Sequence, residues 1–143
     1  MTEPIILGAD HAGFQLKTLC LEHLRSQGWP CEDLGTDSGD RSCDYPVFAG
    51  KVCERVKAVQ GFGLLICGSG VGMSMAANRY PGIRAALCAD EFTARVSRGH
   101  NNANVLCLGA RVLGQGLALS ILDQFLQTGF EGGRHLRRIQ LFD

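Results

Sequence analysis

The run Cys67-Gly68-Ser69-Gly70-Val71-Gly72 joins an apolar stretch, Leu64-Leu65-Ile66, to the helix-forming Met73-Ser74-Met75-Ala76-Ala77. Its glycines let successive backbone amides turn inward, and a helix starting directly behind adds its positive end, so such a loop can hold an oxyanion or a phosphate. It is not a P-loop, because no Gly-Lys-Ser/Thr follows, and Met73 stands where the dinucleotide fingerprint needs its third glycine. A tight strand-to-helix turn with glycines for packing is the plain alternative. Cys67 opens the loop. It reads either as one more small core residue or as a thiolate favoured by the helix dipole. A base beside an array of amides is what proton abstraction alpha to a carbonyl requires, since the same step turns the carbonyl oxygen into an enolate oxygen.

Further polar groups stand at comparable junctions. Asp10-His11 follows the apolar Ile5-Ile6-Leu7 closely; Asp10 is either an N-cap for a helix opening at Phe14 or a site carboxylate, and His11 either a surface residue or a ligand contact. His100-Asn101-Asn102 ends a helical segment, where Asn often caps and a His can satisfy last-turn carbonyls. His23 lies mid-helix among charged neighbours and reads as solvated. Arg134 and Arg138 are four apart, on one face if helical, and a solvated basic tail is their bland reading. Residues 1–45 carry three basic side chains against eight carboxylates, whereas residues 79–143 carry eight arginines and no lysine against five. Arginine grips planar anions with a two-pronged donor set, so an anion site is to be sought in the last third.

Positioning these groups requires regular elements. Ile5-Ile6-Leu7, Trp29 to Leu34, Leu64-Leu65-Ile66, Ala85 to Cys88 and Val105 to Leu108 read as five strands, and all but the second lack polar alternation, as strands buried on both faces do. Phe14 to Gln27, Pro46 to Val59, Gly72 to Asn78, Glu91 to Gly99 and Gly114 to Thr128 read as helices, with Gly28 closing the first and Pro46 opening the second. The alternation predicts an α/β fold of three layers, Rossmann-like, with a five-stranded parallel sheet and helices on both faces. Ligands in such sheets sit beyond the carboxyl ends of the strands.

The chain of 143 residues is 45% hydrophobic and 20% charged, a globular balance that fits a single domain over 1–143. Its formal charge of zero argues against a general nucleic-acid binder. Apolar runs fall far short of the roughly 20 residues that cross a bilayer. Seven cysteines form no CxxC pair, so neither a zinc ribbon nor a thioredoxin-type pair is supported. With no secretory leader after Met1, reduced thiols and a cytoplasmic location are expected.

Taken together, Gly8-Ala9-Asp10-His11-Ala12-Gly13-Phe14, Asp44-Tyr45-Pro46, Cys67 to Gly72 with Ala76-Ala77-Asn78, Gly82-Ile83-Arg84-Ala85, Ser97-Arg98 with His100-Asn101, Asn104-Val105-Leu106, Gly109-Ala110-Arg111 and Glu131-Gly132-Gly133-Arg134-His135 with Arg138 resemble the type B ribose-5-phosphate isomerase family, which includes galactose-6-phosphate isomerase subunits. The motifs run in family order over nearly the whole chain. The resemblance implies metal-free and cofactor-free aldose-ketose isomerisation of D-ribose 5-phosphate and D-ribulose 5-phosphate, a step of the pentose phosphate pathway. It implies a homodimer or dimer of dimers with shared active sites, in which residues 129–143 reach a partner subunit. Cys67 matches the base between C1 and C2; where some relatives instead use a glutamate just past the glycine loop, this chain has Met73. Gly68, Ser69, Gly70, Val71 and Gly72 match the anion hole for the enediolate, and Ser69 keeps a hydroxyl where many members have threonine. His100 matches the ring opener with Asp10 and Tyr45 nearby, and Asp10 and Ser69 are candidate proton shuttles between O1 and O2. His11, Arg111, Arg134 and Arg138 match the phosphate clamp, and Asn101 a polar contact. A hexose 6-phosphate or tetrose phosphate substrate, a non-catalytic sugar-phosphate-binding subunit and a redox thiol protein are the alternatives. This reading requires a Cys67 sulfur that is open to a cavity.

Overall fold

The computed structural model describes residues 2–143. Strands β1 (Ile5–Ala9), β2 (Cys31–Asp33), β3 (Phe62–Cys67), β4 (Ala85–Leu87) and β5 (Val105–Gly109) alternate with helices α1 (Phe14–Ser26), α2 (Tyr45–Val59), α3 (Val71–Ala77), α4 (Glu91–Gly99) and α5 (Gln115–Gln127), and α6 (Arg134–Gln140) closes the chain. All pairings are parallel, in the order β2-β1-β3-β5-β4. The chain leaves β1 for β2 on one side and then crosses to β3 on the other. The loops after β1 and β3 therefore flank the point where the strand order reverses, which is where sheets of this kind bind ligands.

The period-two alternation of a strand divides the core between two faces. Ile5, Leu7 and Ala9, Leu64 and Ile66, and Leu106 and Leu108 pack with Leu16, Cys20 and Leu24 of α1 and Ile121, Leu122 and Phe125 of α5. Ile6, Leu65, Cys67, Val105 and Cys107 pack with Ala49, Val52 and Val56 of α2 and Met73 and Ala77 of α3. Register thus fixes where Cys67 points: toward α2 and α3, at the last residue of its strand.

Several expectations are corrected. The fourth strand is not buried on both faces; β4 is a sheet edge, and Ala85 to Leu87 are only partly covered. The second strand is shorter than Trp29 to Leu34, although hydrogen bonds from Ile5 N to Pro30 O and from Leu34 N to Leu7 O extend its pairing. Asp10 does not cap α1 from the N-cap position, which is Gly13; its carboxylate accepts from the Gly13 amide, one turn ahead. His23 is not simply solvated, because its Nε2 lies 2.8 Å from Asp123 Oδ1 on α5. The tail is not merely a solvated basic strip but a helix that packs on its own chain through His135 and Ile139, with Arg84 pairing Asp143 at 3.0 Å and Arg134 and Arg138 left exposed.

Candidate active site

At the carboxyl edge of the sheet the loops after β1, β3 and β5 meet. The Asp10 amide donates to Ile66 O, and the Ala110 and Arg111 amides donate to Cys67 O and Gly68 O, at 2.9 Å each. Gly70 adopts φ +79°, and a side chain there would come within 2.5 Å of Leu87 and 2.9 Å of the Leu108 backbone, so only glycine completes this turn. The Gly70 amide donates to Cys67 Sγ at 3.2 Å, and the Val71 amide to Ser69 Oγ at 3.2 Å. The Arg111 guanidinium lies over Gly68, and the Tyr45 ring against Gly72, each within about 4 Å of where a Cβ would stand. Nδ1 of His11 accepts from the Cys43 amide at 3.2 Å, so a neutral ring carries its proton on Nε2, free to donate. This edge gathers Asp10, His11, Tyr45, Cys67, Gly68, Ser69, Gly70, Val71, Gly72 and Arg111.

Cys67 is only narrowly open, where the sequence reading requires a sulfur open to a cavity. It is 5% exposed, tucked under the glycine turn against the α2–α3 apolar cluster, with the Gly70 amide aimed at its sulfur. An ionised sulfur accepts such a bond better than a neutral one. All seven cysteines are free thiols. Burial pushes Cys20 and Cys53 up to about 12, and raises Cys31, Cys88 and Cys107, so these five stay neutral at physiological pH.

The remaining candidates lie elsewhere. His100 and Asn101 follow α4, on the segment that enters β5 from its amino end. Arg98 fixes this corner by bonding to Ala103 O, Asn102 Oδ1 and Thr128 O, with its guanidinium over the Phe62 and Phe125 rings. The Glu131 amide donates to Gly99 O at 3.0 Å, bringing α6 alongside. There the His100 and His135 rings stack, with centroids 4.2 Å apart and planes at 9°. Glu131 lies 3.5 Å from His100 Nε2 and 3.7 Å from His135 Nε2. Two imidazoles and a carboxylate could in principle hold a metal ion. Parallel rings, however, cannot aim their in-plane lone pairs at one ion. Arg134 and Arg138 are exposed on α6 and, among the described residues, pair with no carboxylate.

The two groups face opposite ends of the sheet. Cys67 is in register with Gly109 at the end of β5, whereas His100 precedes its start. The five residues of β5 alone span about 16 Å. That exceeds the reach of an extended pentose phosphate, so one chain does not bring Cys67 and His100 onto the same sugar.

The model for "Ribose/Galactose Isomerase" matches residues 5–142. The chain belongs to that family. Ribose-5-phosphate isomerase B of Escherichia coli is 46% identical over 138 residues, covering 95% of this chain and 91% of the relative. The probable ribose-5-phosphate isomerase B of Mycoplasma genitalium is 45% identical over 141 residues, covering 97% and 93%. Among solved structures, ribose 5-phosphate isomerase from Thermotoga maritima superposes with a TM-score of 0.97 at 49% identity, covering 100% of this chain and 99% of that one. The Mycoplasma genitalium enzyme with bound ribulose-5-phosphate gives 0.95 at 45%, covering 99% and 94%. Membership makes this chain an aldose-ketose isomerase with the family's α/β fold. No helix among the described residues is long and apolar enough to cross a membrane.

For a family member, this chain also holds supporting residues that the motifs left without a role. Lys17 is 1% exposed and grips both oxygens of Asp33 at 2.7 and 2.6 Å, tying α1 to β2 beside the Asp10–Gly13 turn. A lysine four residues before Leu21, on the apolar face of α1, was the available signal. Glu131 and His135 belong to the Glu131 to His135 motif, yet a carboxylate in a glycine-rich tail carries no pattern of its own that would assign it a role.

Proposed function

We propose that the protein interconverts D-ribose 5-phosphate and D-ribulose 5-phosphate in the cytoplasm, without a cofactor, as a homodimer or dimer of dimers whose active sites are shared between chains. The observation that carries this reading is the division of one set of candidate residues between opposite ends of a sheet. A second copy can supply His100, Asn101, Arg134 and Arg138 to the carboxyl edge of the first. Val71, Met75, Leu87, Phe92 and Val112, all at or near that edge, leave large apolar side chains exposed, which suits an interface. The seven free thiols suit a reducing compartment.

The steps take the roles that the family resemblance implies. His11, Arg111, Arg134 and Arg138 grip the phosphate, and that remote binding energy fixes C2 of the sugar against Cys67. His100, with Asp10 and Tyr45 nearby, opens the furanose by moving a proton from the O1 hydroxyl to the ring oxygen. The Cys67 thiolate takes the C2 proton, and the amides of Gly68 to Gly72 stabilise the cis-enediolate. Asp10 and Ser69 shuttle a proton between O1 and O2, and the thiol returns its proton to C1. Met73, fully buried, offers no carboxylate to replace the sulfur.

Ketose formation from ribose 5-phosphate, assayed with wild type and Cys67→Ala, tests the base. The family description spans ribose and galactose enzymes, so a hexose 6-phosphate and a tetrose phosphate belong in the same assay. Tight binding of a sugar phosphate with no turnover on any of them would instead fit a non-catalytic subunit.

A further inference from the structure

The stacked imidazoles beside Glu131 have a part to play that the motifs do not assign. We infer that Glu131 and His135 are positioning residues that orient the His100 imidazole for opening the sugar ring. The inference rests on the role proposed above for His100.

His100 stands at the end of α4, where a ring held only by its own backbone would rotate freely. Two neighbours restrain it. His135, 8% exposed and fixed on α6, lies face to face with it at 4.2 Å, which limits rotation of the ring about its own axis. The His100 side chain itself remains 44% exposed and can meet a ligand. Glu131 is anchored by its amide to Gly99 O, and its Oε2 sits so close above Gly99 that a side chain there would come within 2.7 Å. That anchoring holds one carboxylate oxygen near each ring, at 3.5 and 3.7 Å. Contacts of this kind are often long in a ligand-free site and tighten when substrate binds.

Ring opening shows why orientation matters. The O1–H bond pair becomes the second C1–O1 bond, the C1–O4 pair passes to O4, and the proton leaving O1 ends on O4, with no net change in charge or oxidation state. One imidazole can receive and return that proton only if the correct nitrogen faces the sugar. A carboxylate beside Nε2 holds the proton there and leaves Nδ1 as the acceptor, the same division of labour that an aspartate imposes on a catalytic histidine. Burial first, then the facing His100 ring and Arg134, hold His135 below the ordinary imidazole value; Arg138 adds to this and Glu131 opposes it.

Glu131→Gln is the test, because Glu131 is exposed and its loss spares the fold. Two quantities are measured on the full-length variant: turnover of ribose 5-phosphate, and the imidazole nitrogen shifts of His100 in a histidine-labelled NMR spectrum. The expected result is turnover lowered by about 10-fold together with a changed His100 tautomer balance, while His11 and His23 keep their shifts. An unchanged His100 spectrum overturns the inference whatever the activity does, and so does a changed spectrum with full turnover. Full turnover in His100→Asn would instead remove the ring-opening reading itself, which separates the two failures.

Discussion

The two ends of the sheet are built on different principles. At the carboxyl edge, three loops lock together through backbone hydrogen bonds, a glycine turn without room for a side chain, and the pair of a buried Lys17 with the partly exposed Asp33. At the amino edge, Arg98 is held by carbonyl and amide oxygens, and beyond it Arg134 and Arg138 are exposed and, among the described residues, pair with no carboxylate. The first arrangement makes a stiff floor whose groups are spent on one another. The second keeps its charges available for something outside the chain. Isolated cations of this kind gain little for a monomer's stability, and the proposed phosphate clamp would give them a use.

That contrast can be broken at several points. Cys67→Ala removes the proposed base from the floor and is expected to lower turnover by about 10²- to 10⁴-fold, with thermal unfolding little changed; an active variant would reassign the proton transfer. Lys17→Met leaves the partly exposed Asp33 without its cation and should cost about 1 kcal/mol of stability, read as an earlier unfolding transition in denaturant, whereas substitutions of Arg134 or Arg138 should leave that transition where it is. Arg138→Ala should raise KM for the sugar phosphate by about 10-fold with a smaller effect on kcat, since the clamp acts at a distance from the chemistry. The smallest effect concerns pH. His135 is held below the ordinary imidazole value of 6.5, so the unfolded chain takes up its proton first; its contribution is full above that pH and is lost as pH falls through the folded value. Unfolding curves between pH 7.5 and 5.5 should show this loss, and His135→Phe should flatten it.

Much of the architecture was legible in the sequence because the signals were local. Apolar runs and helix periods located all five strands and the first five helices, and α4 begins and ends where its pattern does, whereas α6 lies in what read as a basic tail. The β4 edge was not legible, since Ala85 to Leu87 reads the same whether or not a neighbouring strand follows. His23 was misread because its partner Asp123 is 100 positions away, and such pairings leave no local trace. Lys17 did leave a local trace, a lysine on the apolar face of α1, but its partner Asp33 did not. The placement of the candidate residues at two ends was in fact encoded: Asp10 and Arg111 follow strands and Cys67 ends one, whereas His100 precedes one, and in a parallel sheet those positions lie at opposite ends. The burial of Cys67 follows from strand parity with Leu65, a constraint that the glycine motif alone conceals.

The most direct test of a site shared between chains is complementation. Cys67→Ala and His100→Asn chains, each inactive alone, are unfolded together, refolded in equal amounts and assayed for ketose formation. Random pairing puts both chains in half of the dimers, each with one intact site of two, so activity should return to about a quarter of wild type. If the mixture stays as inactive as its parents although mixed dimers form, Cys67 and His100 do not serve the same sugar from different chains.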